Sequence, residues 1–413
     1  MASGQSTSGI KSDASAPVSP QRDWQQRGIY IEPGPQGKAP RFFAVVLVNT
    51  RVYRPSALTR IVELLDAYAK LRDSVENEGE NGLFDVLVGF NREVSSRIFD
   101  GVTERWPDAD VFASPGERRK ILLGADKGLA FAEDMVTNPG AADAIIQVTS
   151  EDEFTVARVL EETARFAAEH SHEVYLTAAY RGSRRADSRG WLDFHEGVSN
   201  IARTDRHSVI FGDGDGGTFL CFMRLGVNLH LWRKAEADQE KWVGRDKATG
   251  AAIKKDGTLH PDIAAGETIL DSDDKSLRET PDDVIEGSHI DLARKATVAG
   301  QPARVFRQGY EYFEIDPNRV ERSYPAGEHS PSTASVGLNF VSFQTRPAQL
   351  FEMLRDPDAL GGTSFSAESD GDGKPLVTVA AAGMFYVPSK ATLDQRLQEW
   401  RAQAKVDQDA ADD

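Results

Sequence analysis

RFFAVVLV, residues 41–48, is a continuous apolar run with the length of a β-strand, and similar runs recur along the chain. A helix face follows it, with apolar residues at the i, i+3, i+4, i+7 spacing: Leu58, Ile61, Val62 and Leu65. Three more strand-length runs follow: residues 84–90, 143–148 and 173–177. With a second helix before the last run, the order strand, helix, strand, strand, helix, strand is that of a ferredoxin-like unit.

The second helix has a recognisable start in the sequence. Ser150 and Glu153 have the spacing of a capping box, in which each side chain accepts a backbone hydrogen bond from the other end of the first turn. The helical period then predicts an inward face made of four residues: Phe154, Ala157, Leu160 and Ala164. The polar stretch after residue 90, with its three prolines, is predicted as loop.

The second half of the chain resembles the first in layout. Strands are predicted at 218–229, 337–344 and 376–387, and a helix carrying Leu350, Met353 and Leu354 follows the second of them. Residues 233–286 and 361–373 are polar or glycine-rich and are predicted as surface loops. We predict an α+β protein of two tandem ferredoxin-like domains with antiparallel sheets. Its predicted segments are a disordered tail 1–38, domains 39–205 and 206–400, and an acidic tail 401–413.

Composition excludes several classes of function. The 413 residues carry a net charge of −17, from 48 basic and 65 acidic side chains, which disfavours nucleic acid and anionic membranes as partners. A single cysteine, Cys221, cannot build an intrachain disulfide, a thiolate zinc site or an iron–sulfur cluster. With no run of 18 apolar residues and no secretory signal layout, we expect a cytoplasmic protein without a membrane span. The composition is compatible with a homo-oligomer.

Residue spacing alone does not identify a functional site. The eight histidines form neither an H-E-x-x-H pair nor a Cys/His metal pattern, and no G-x-S-x-G nucleophile elbow occurs. Three segments nevertheless concentrate charged, aromatic and histidine residues among glycines: residues 193–200 (DFHEGVSN), 287–290 (GSHI) and 304–310 (RVFRQGY).

These three segments, in this order, resemble those of the dye-decolorizing peroxidases. That family carries a G-x-x-D-G motif, then a histidine in a G-x-H-I-like segment, then an arginine; here Glu196-Gly197, His289 and Arg307 stand at those places. The resemblance covers about residues 28 to 390, and three further segments are similar to family segments: 216–220 (GGTFL), 244–250 (GRDKATG) and 337–344 (GLNFVSFQ).

The resemblance implies a fold of the dimeric αβ-barrel type and a bound heme b (iron protoporphyrin IX) in the C-terminal half. His289 would be the proximal iron ligand, with Asp372 a candidate acceptor for its other ring nitrogen. Glu196 would act as the distal acid–base and Arg307 as the fixed cation that stabilises developing charge. Asn200 would lie near a haem propionate and Phe340 in the distal wall.

Each of these assignments has a structural alternative. His289 is otherwise a surface or capping histidine, Arg307 a member of a surface ion pair, and Asn200 a helix cap. The sequence also departs from the family pattern in three places. Glutamate stands for the usual aspartate at 196, Asp193 replaces a glycine, and Asn339 replaces an apolar residue that we expect beside the distal face.

The implied function is that of a haem peroxidase that reduces hydrogen peroxide and oxidises a small organic, dye-like or phenolic reductant via a ferryl intermediate. The departures keep a second hypothesis open: a haem-binding protein that stores, transports or senses haem, or a specialised family member with little peroxidase turnover. A haem-free αβ-barrel binding module is the third. Trp191, Tyr310 and Tyr312 are candidates for relaying electrons from large substrates, with packing as the alternative role of each.

Overall fold

The computed structural model of the protein describes most of the chain between residues 40 and 399. The described residues are 29, 40–50, 55–76, 84–107, 130–131, 142–196, 200–201, 203–212, 216–261, 280–315, 334–361, 376–396, 398–399 and 402. Ile29, within the predicted N-terminal tail, is fully buried in the protein core.

The N-terminal part of the chain folds largely as its apolar pattern predicts. Its elements are β1 (Phe42–Thr50), α1 (Pro55–Glu76), β2 (Phe84–Phe90), α2 (Arg92–Ile98), a 3₁₀ turn (Thr103–Arg105), β3 (Ala130–Phe131), β4 (Ala144–Ser150), α3 (Glu153–Glu169) and β5 (Val174–Ser183). The predicted strands and both helices are confirmed. The loop prediction after residue 90 is wrong for α2, which begins there because Asn91 caps it, accepting a 2.8 Å hydrogen bond from the amide of Val94.

Two details of α3 differ from the prediction. Its N-cap is Asp152, whose carboxylate accepts a 2.7 Å hydrogen bond from the amide of Thr155, whereas Ser150 ends the preceding strand. The predicted capping box is therefore wrong. The buried face is also shifted by one or two positions, and Phe154 is 71% exposed. The face that packs inward includes polar residues, which the apolar period could not identify: Thr155, Val156, Val159, Thr163, Phe166 and Ala167.

The C-terminal part confirms the three predicted strands and the predicted helix. Its elements are α4 (Arg203–Ile210), β6 (Thr218–Val227), α5 (Leu229–Lys234), α6 (Gln239–Val243), β7 (Ala252–Ile253), β8 (Leu259–His260), α7 (His289–Lys295), β9 (Thr297–Val298), β10 (Gln301–Pro302), β11 (Phe306–Ile315), β12 (Ala334–Gln344), α8 (Ala348–Arg355) and β13 (Val377–Val387). Strand β11 was not predicted, because charged and glycine residues occupy one of its faces. Within 233–286, predicted as loop, the described residues include the short elements α6, β7 and β8.

Eight strands form one closed sheet in the order β2-β4-β1-β5-β11-β12-β6-β13, and β13 pairs with β2 to complete the ring. Every pairing around the ring is antiparallel. Four neighbouring strands come from the N-terminal part and four from the C-terminal part. The two sets meet where Ser183 pairs with Glu311 and where Phe90 pairs with Tyr386. The α+β fold class with antiparallel sheets is confirmed.

Hydrophobic side chains fill both sides of this closed sheet. The inner cluster draws residues from all eight strands, among them Phe43 and Tyr310, whose rings stack with centroids 4.4 Å apart. The outer cluster joins the other faces of β1, β2, β4 and β6 to helices α1, α3 and α8. Successive side chains of a strand therefore alternate between the interior and the outer layer.

This alternation decides the position of Asn339. Asn339 pairs with Tyr310 and Arg224, and it is fully buried inside the closed sheet. Its Oδ1 accepts a 3.0 Å hydrogen bond from Arg224, and its Nδ2 donates a 2.9 Å bond to the carbonyl of Arg181. The expectation that Asn339 lies beside the distal face is not supported, because its side chain points into the closed sheet whereas that of its neighbour Phe340 packs on the outer face.

None of the helices in the described part of the chain is both long and apolar enough to span a bilayer.

A pair of glycines on neighbouring strands provides a test of the sheet packing. A Cβ on Gly337 would lie 1.8 Å from the backbone carbonyl oxygen of Leu225, whereas the nearest atom to a Cβ on Gly226, its register partner, is 3.6 Å away. We expect Gly337→Ala to lower the free energy of unfolding by about 3 kcal/mol or more, and Gly226→Ala by less than about 1 kcal/mol. Chemical denaturation of both variants measures the difference; equal losses would contradict this packing.

Candidate functional site

Glu196 stands at the end of a tight hairpin. The amide of Gly190 donates to the carbonyl of Phe194 at 3.1 Å, and the amide of Glu196 donates to that of Ser188 at 2.7 Å. Asp193 at the turn has φ of 65°, in the left-handed region that favours glycine. Aspartate tolerates this conformation better than most residues, so the turn forms although Asp193 stands where a glycine is expected.

The hairpin is attached to the loop 244–250. One guanidinium nitrogen of Arg189 donates to the carbonyls of Asp193, at 2.7 Å, and Lys247, at 2.8 Å. The Nε2 of His195 lies 3.2 Å from the carbonyl oxygen of Ala248. Because Arg189 bonds both to its own turn and to the loop, the loop holds the hairpin that presents Glu196.

The same loop packs against the start of α7, where His289 is the first residue. Gly244 has φ of 85°, and a Cβ there would lie 2.5 Å from the Oγ of Ser288. Ser288 caps α7 by accepting a 3.4 Å hydrogen bond from the amide of Asp291. Only glycine satisfies both the backbone conformation and the close contact. The loop 244–250 therefore fixes the hairpin of Glu196 and the helix of His289 relative to each other.

Strand β11 contributes Arg307, with Gly309 and Glu311 following on the same face. The side chain of Asn200 holds the backbone of Arg307 at both groups: its Nδ2 donates to the carbonyl at 2.8 Å, and its Oδ1 accepts from the amide at 3.1 Å. Asn200 thus positions Arg307, and its expected place beside a cofactor stays a prediction.

His289, Arg307 and Glu196 converge electrostatically. Each lies within the protein but keeps part of its surface accessible, and the charge of Arg307 acts on both His289 and Glu196. Burial, then the charges of Arg307 and Arg245, lowers the pKa of His289 to about 4. The imidazole is therefore neutral at physiological pH, which is the protonation state in which a histidine binds a metal.

Two cationic side chains share this interior. Burial lowers the pKa of Arg307, and the carboxylate of Glu196 raises it. Burial, then Arg307, lowers the pKa of Arg245 to about 9, and its Nη1 donates a 2.6 Å hydrogen bond to the carbonyl of Gly250. Two guanidinium groups buried near a neutral imidazole form a surrounding suited to an anionic ligand.

Two carboxyl groups are also linked to this region, Glu196 through its interaction with Arg307 and Glu311 through its interaction with Glu196. Burial raises the pKa of Glu196, while Arg184 and Arg307 oppose that rise. Burial, then the charge of Glu196, raises the pKa of Glu311 to about 8. Both carboxyls therefore tend to hold a proton closer to neutral pH than an ordinary glutamate does.

Sequence reasoning missed two members of the site. Arg245 lies in the segment GRDKATG, but nothing in the sequence indicates that its guanidinium is buried. Glu311 follows Arg307 at i+4, and this spacing places both on one face once 306–315 is known to be a strand. The strand was not predicted, so the shared face was not apparent.

The remaining predicted residues, Phe340, Tyr310, Tyr312 and Trp191, are placed as follows, and the expected position of Phe340 in the distal wall stays a prediction. Phe340 is half-buried, pairs with Gly309 and packs against the outer core. Tyr310 and Tyr312 are buried, and the indole nitrogen of half-buried Trp191 donates a 3.0 Å hydrogen bond to the carbonyl of Tyr312. Packing accounts for the positions of these three residues, and an electron-relay role stays a prediction. Asp372 lies outside the described residues.

The donor set indicates what kind of cofactor fits. Over the described ranges, histidine, cysteine and carboxylate side chains form no group of three or more that could hold a bare metal ion. A metal at His289 must therefore bring most of its own ligands. The two buried guanidinium groups would offset negative charge on such a cofactor. A metal macrocycle with acidic substituents, held through one imidazole, fits these residues.

Comparison with known proteins identifies similar chains. Residues 187–392 match the family model described as "Dyp-type peroxidase, C-terminal". A dye-decolorizing peroxidase from Thermobifida fusca is 25% identical over 389 residues, covering 85% of this chain and 81% of the relative.

Solved structures share the fold at lower identity. Ferric and oxyferrous forms of DtpA from Streptomyces lividans are among them, and the oxyferrous complex aligns with a TM-score of 0.58 at 18% identity, covering 86% of this chain and 91% of that one. A dye-decolorizing protein from V. cholerae aligns with a TM-score of 0.56 at 16% identity, covering 89% and 98%.

The contact between Gly244 and Ser288 is testable against a matched glycine. Gly257 has nearly the same backbone conformation, φ of 84°, with no atom within 4 Å of a Cβ. We expect Gly257→Ala to cost about 1–2 kcal/mol of unfolding free energy from backbone strain alone. Gly244→Ala should cost about 1–3 kcal/mol more, because its methyl group must displace the cap of α7. Urea unfolding of the two variants measures this; losses within error of each other would show that the loop does not hold the helix.

Proposed function

Because this chain belongs to the dye-decolorizing peroxidase family, whose members are haem peroxidases, we propose that His289, Arg307 and Glu196 form a haem site that reduces hydrogen peroxide. The electrons would come from a small organic reductant of the dye-like or phenolic class. The observation that carries the proposal is the convergence of a neutral buried imidazole, a buried guanidinium and a buried carboxyl in one region.

His289 is the residue that would hold the haem iron. Its imidazole is kept unprotonated by burial and by the nearby arginines, which leaves a nitrogen lone pair for the metal. Arg245 and Arg307 would face the acidic substituents of the porphyrin or the bound peroxide. A bound haem supplies the iron at which peroxide is reduced and holds the oxidising equivalents for the organic substrate.

Glu196 would move the proton. Cleavage of the O–O bond requires that a proton leave one peroxide oxygen and reach the other. Burial raises the pKa of this carboxyl above that of an ordinary glutamate, which makes it a better base and suits it to accept a proton and return it. The carbonyl of Ser188, which accepts from the amide of Glu196, fixes the backbone from which this side chain projects.

Arg307 would stabilise the charge that develops as the O–O bond breaks. A guanidinium keeps its positive charge throughout the physiological range. Its strand is held at this residue by Asn200, so the cation is fixed before substrate binds. Such a preorganised charge in a buried site is worth far more than the same charge in water.

Replacing Glu196 tests the catalytic assignment. Glu196→Gln removes the exchangeable proton with little change of shape, so we expect the rate of reaction with hydrogen peroxide to fall by about 10²–10⁴-fold. The absorption spectrum of the resting holoprotein should be unchanged. Stopped-flow absorption measures the rate, and Glu161→Gln, an exposed glutamate on α3, is the matched control. An unaltered rate would remove Glu196 from the mechanism.

Replacing His289 tests the ligand assignment. We expect His289→Ala to lose the Soret band of the purified protein, because the one protein bond to iron is absent, while His172→Ala, at an exposed histidine, retains it. Absorption spectra after haem supplementation measure this. A Soret band of wild-type shape in His289→Ala would reject the ligand. Wild-type holoprotein that binds haem but does not react with peroxide would instead support a storage or sensing role.

A further inference from the structure

We propose that Glu311 is a positioning residue of this site: it shares a proton with Glu196 and passes protons between Glu196 and the protein surface. The inference rests on the proposed function and adds to it a route by which protons enter. Nothing in the motif pattern indicates a second carboxyl at this place.

The two carboxyl groups meet at Gly190. A Cβ built on Gly190 would lie 2.9 Å from the Oε1 of Glu196 and 2.9 Å from the Oε1 of Glu311. The two oxygens can therefore be no farther apart than twice that distance. The other oxygen of Glu196 lies 3.8 Å from the position of a Cβ on Gly309, an ordinary van der Waals distance. The glycine at 190 leaves the space in which the two carboxyls approach each other.

Like charges at this separation in a buried place cannot both form freely. Glu311 is 7% exposed, and its carboxyl accepts a hydrogen bond from the backbone amide of Trp191. Burial, then Glu196, raises the pKa of Glu311, and burial raises that of Glu196. The groups therefore titrate as a pair, which retains one proton when isolated glutamates have lost theirs.

Charged groups surround the pair unequally. Arg184 and Arg307 act on Glu196, which favours its ionised form. Arg185 and Asp187 act on Glu311 with opposite signs. The residues that pair with Glu311 on the adjacent strands, Ser183 and Leu338, are uncharged. The cations thus favour a proton on Glu311 over one on Glu196.

The pair connects the interior with solvent. Glu311 stands at the seam between β5 and β11, and the chain continues from that seam into Arg185 and Asp187, which form a 2.6 Å ion pair with both side chains about half exposed. A proton can therefore reach Glu311 from water at the surface, and Glu196 from Glu311. In each transfer the O–H bond of the donor carboxyl breaks and one forms on the acceptor.

The chemistry requires such an entry. Reduction of one hydrogen peroxide to two water molecules consumes two protons and two electrons, and the organic reductant supplies the electrons. The transfer by Glu196 between the two peroxide oxygens uses no outside proton. Both consumed protons must therefore reach the site, and the carboxyl pair provides one route for them.

Two substitutions separate this role from a structural one. Glu311→Gln keeps an oxygen that can accept from the amide of Trp191 but holds no exchangeable carboxyl proton. Gly190→Ala keeps both carboxyls but places a methyl group 2.9 Å from each Oε1, which drives them apart. Glu161→Gln is the surface control.

The first measurement uses the apoprotein, so that it does not depend on haem. Infrared spectra recorded against pH detect the C=O stretch of protonated carboxyl groups. We expect wild type to retain a protonated carboxyl through neutral pH, and both Glu311→Gln and Gly190→Ala to lose it at least about one pH unit lower. Retention of this band at the wild-type pH in both variants would overturn the proposal.

The pH dependence of the free energy of unfolding tests the shared proton independently. Between the ordinary glutamate pKa and about 8, Glu311 binds more protons in the folded protein than in the unfolded chain, so it makes the free energy of unfolding fall as pH rises through that window. His289, whose pKa is lowered to about 4, acts in the opposite direction below the ordinary histidine pKa, so the fall is measured above about pH 6.5. We expect Glu311→Gln to flatten this fall and Glu161→Gln to preserve it. A slope in Glu311→Gln equal to that of wild type would contradict a shared proton.

The last measurement uses the holoprotein. We expect Glu311→Gln to leave the first reaction with peroxide within about threefold of wild type and to slow steady-state turnover about tenfold, most strongly at high pH. A uniform loss at every pH would indicate a structural role and overturn the relay. Failure of wild type to bind haem or to react with peroxide would reject the proposed function, while the apoprotein measurements would still decide whether the proton is shared.

Discussion

The buried charge of Arg307 is the constraint on which the rest of the site depends. After burial, which is the larger cause, it lowers the pKa of His289 and of Arg245, and together with Arg184 it opposes the rise in the pKa of Glu196. A guanidinium in this position is costly unless its surroundings are fixed, because a buried charge cannot recruit water when its partners move. The protein therefore holds the backbone of Arg307 with Asn200 and brings a carboxyl to it on a hairpin.

The fold holds Glu196, His289 and Arg307 in fixed positions relative to one another, although they are distant in sequence. Glu196 and His289 are presented by segments that both contact the loop 244–250, one through Arg189 and the other through Gly244. Arg307 belongs to the closed sheet itself, and the register of β11 sets where it faces. The geometry of the site thus depends on one loop and one strand, neither of which carries the candidate iron ligand.

The double carboxyl arrangement gives the glutamate at 196 a physical context. A glutamate is one methylene longer than an aspartate, and here one oxygen of its carboxyl reaches the space beside Gly190, where an oxygen of Glu311 also ends. The length of the side chain and the glycine at 190 together permit this approach. The local structure therefore accommodates the residues that differ from the family pattern at 193 and 196. The third such residue, Asn339, accepts a hydrogen bond from Arg224 inside the sheet.

Much of the fold was determined by the sequence alone, because apolar runs such as 41–48 and 143–148 have the length and composition of buried strands. The order of the elements follows from those runs, and the family resemblance selected His289, Arg307 and Glu196 from many polar residues. Errors arose where a local signal was ambiguous: Ser150 and Asp152 are both acceptable caps, and the helix that follows has two stripes of similar character. Only the tertiary structure decided that β11 is a strand, that Glu311 shares its outer face with Arg307, and that Arg245 is buried. Those facts depend on which strands become neighbours and which charges lose their water, and these are properties of contacts between residues far apart in the chain.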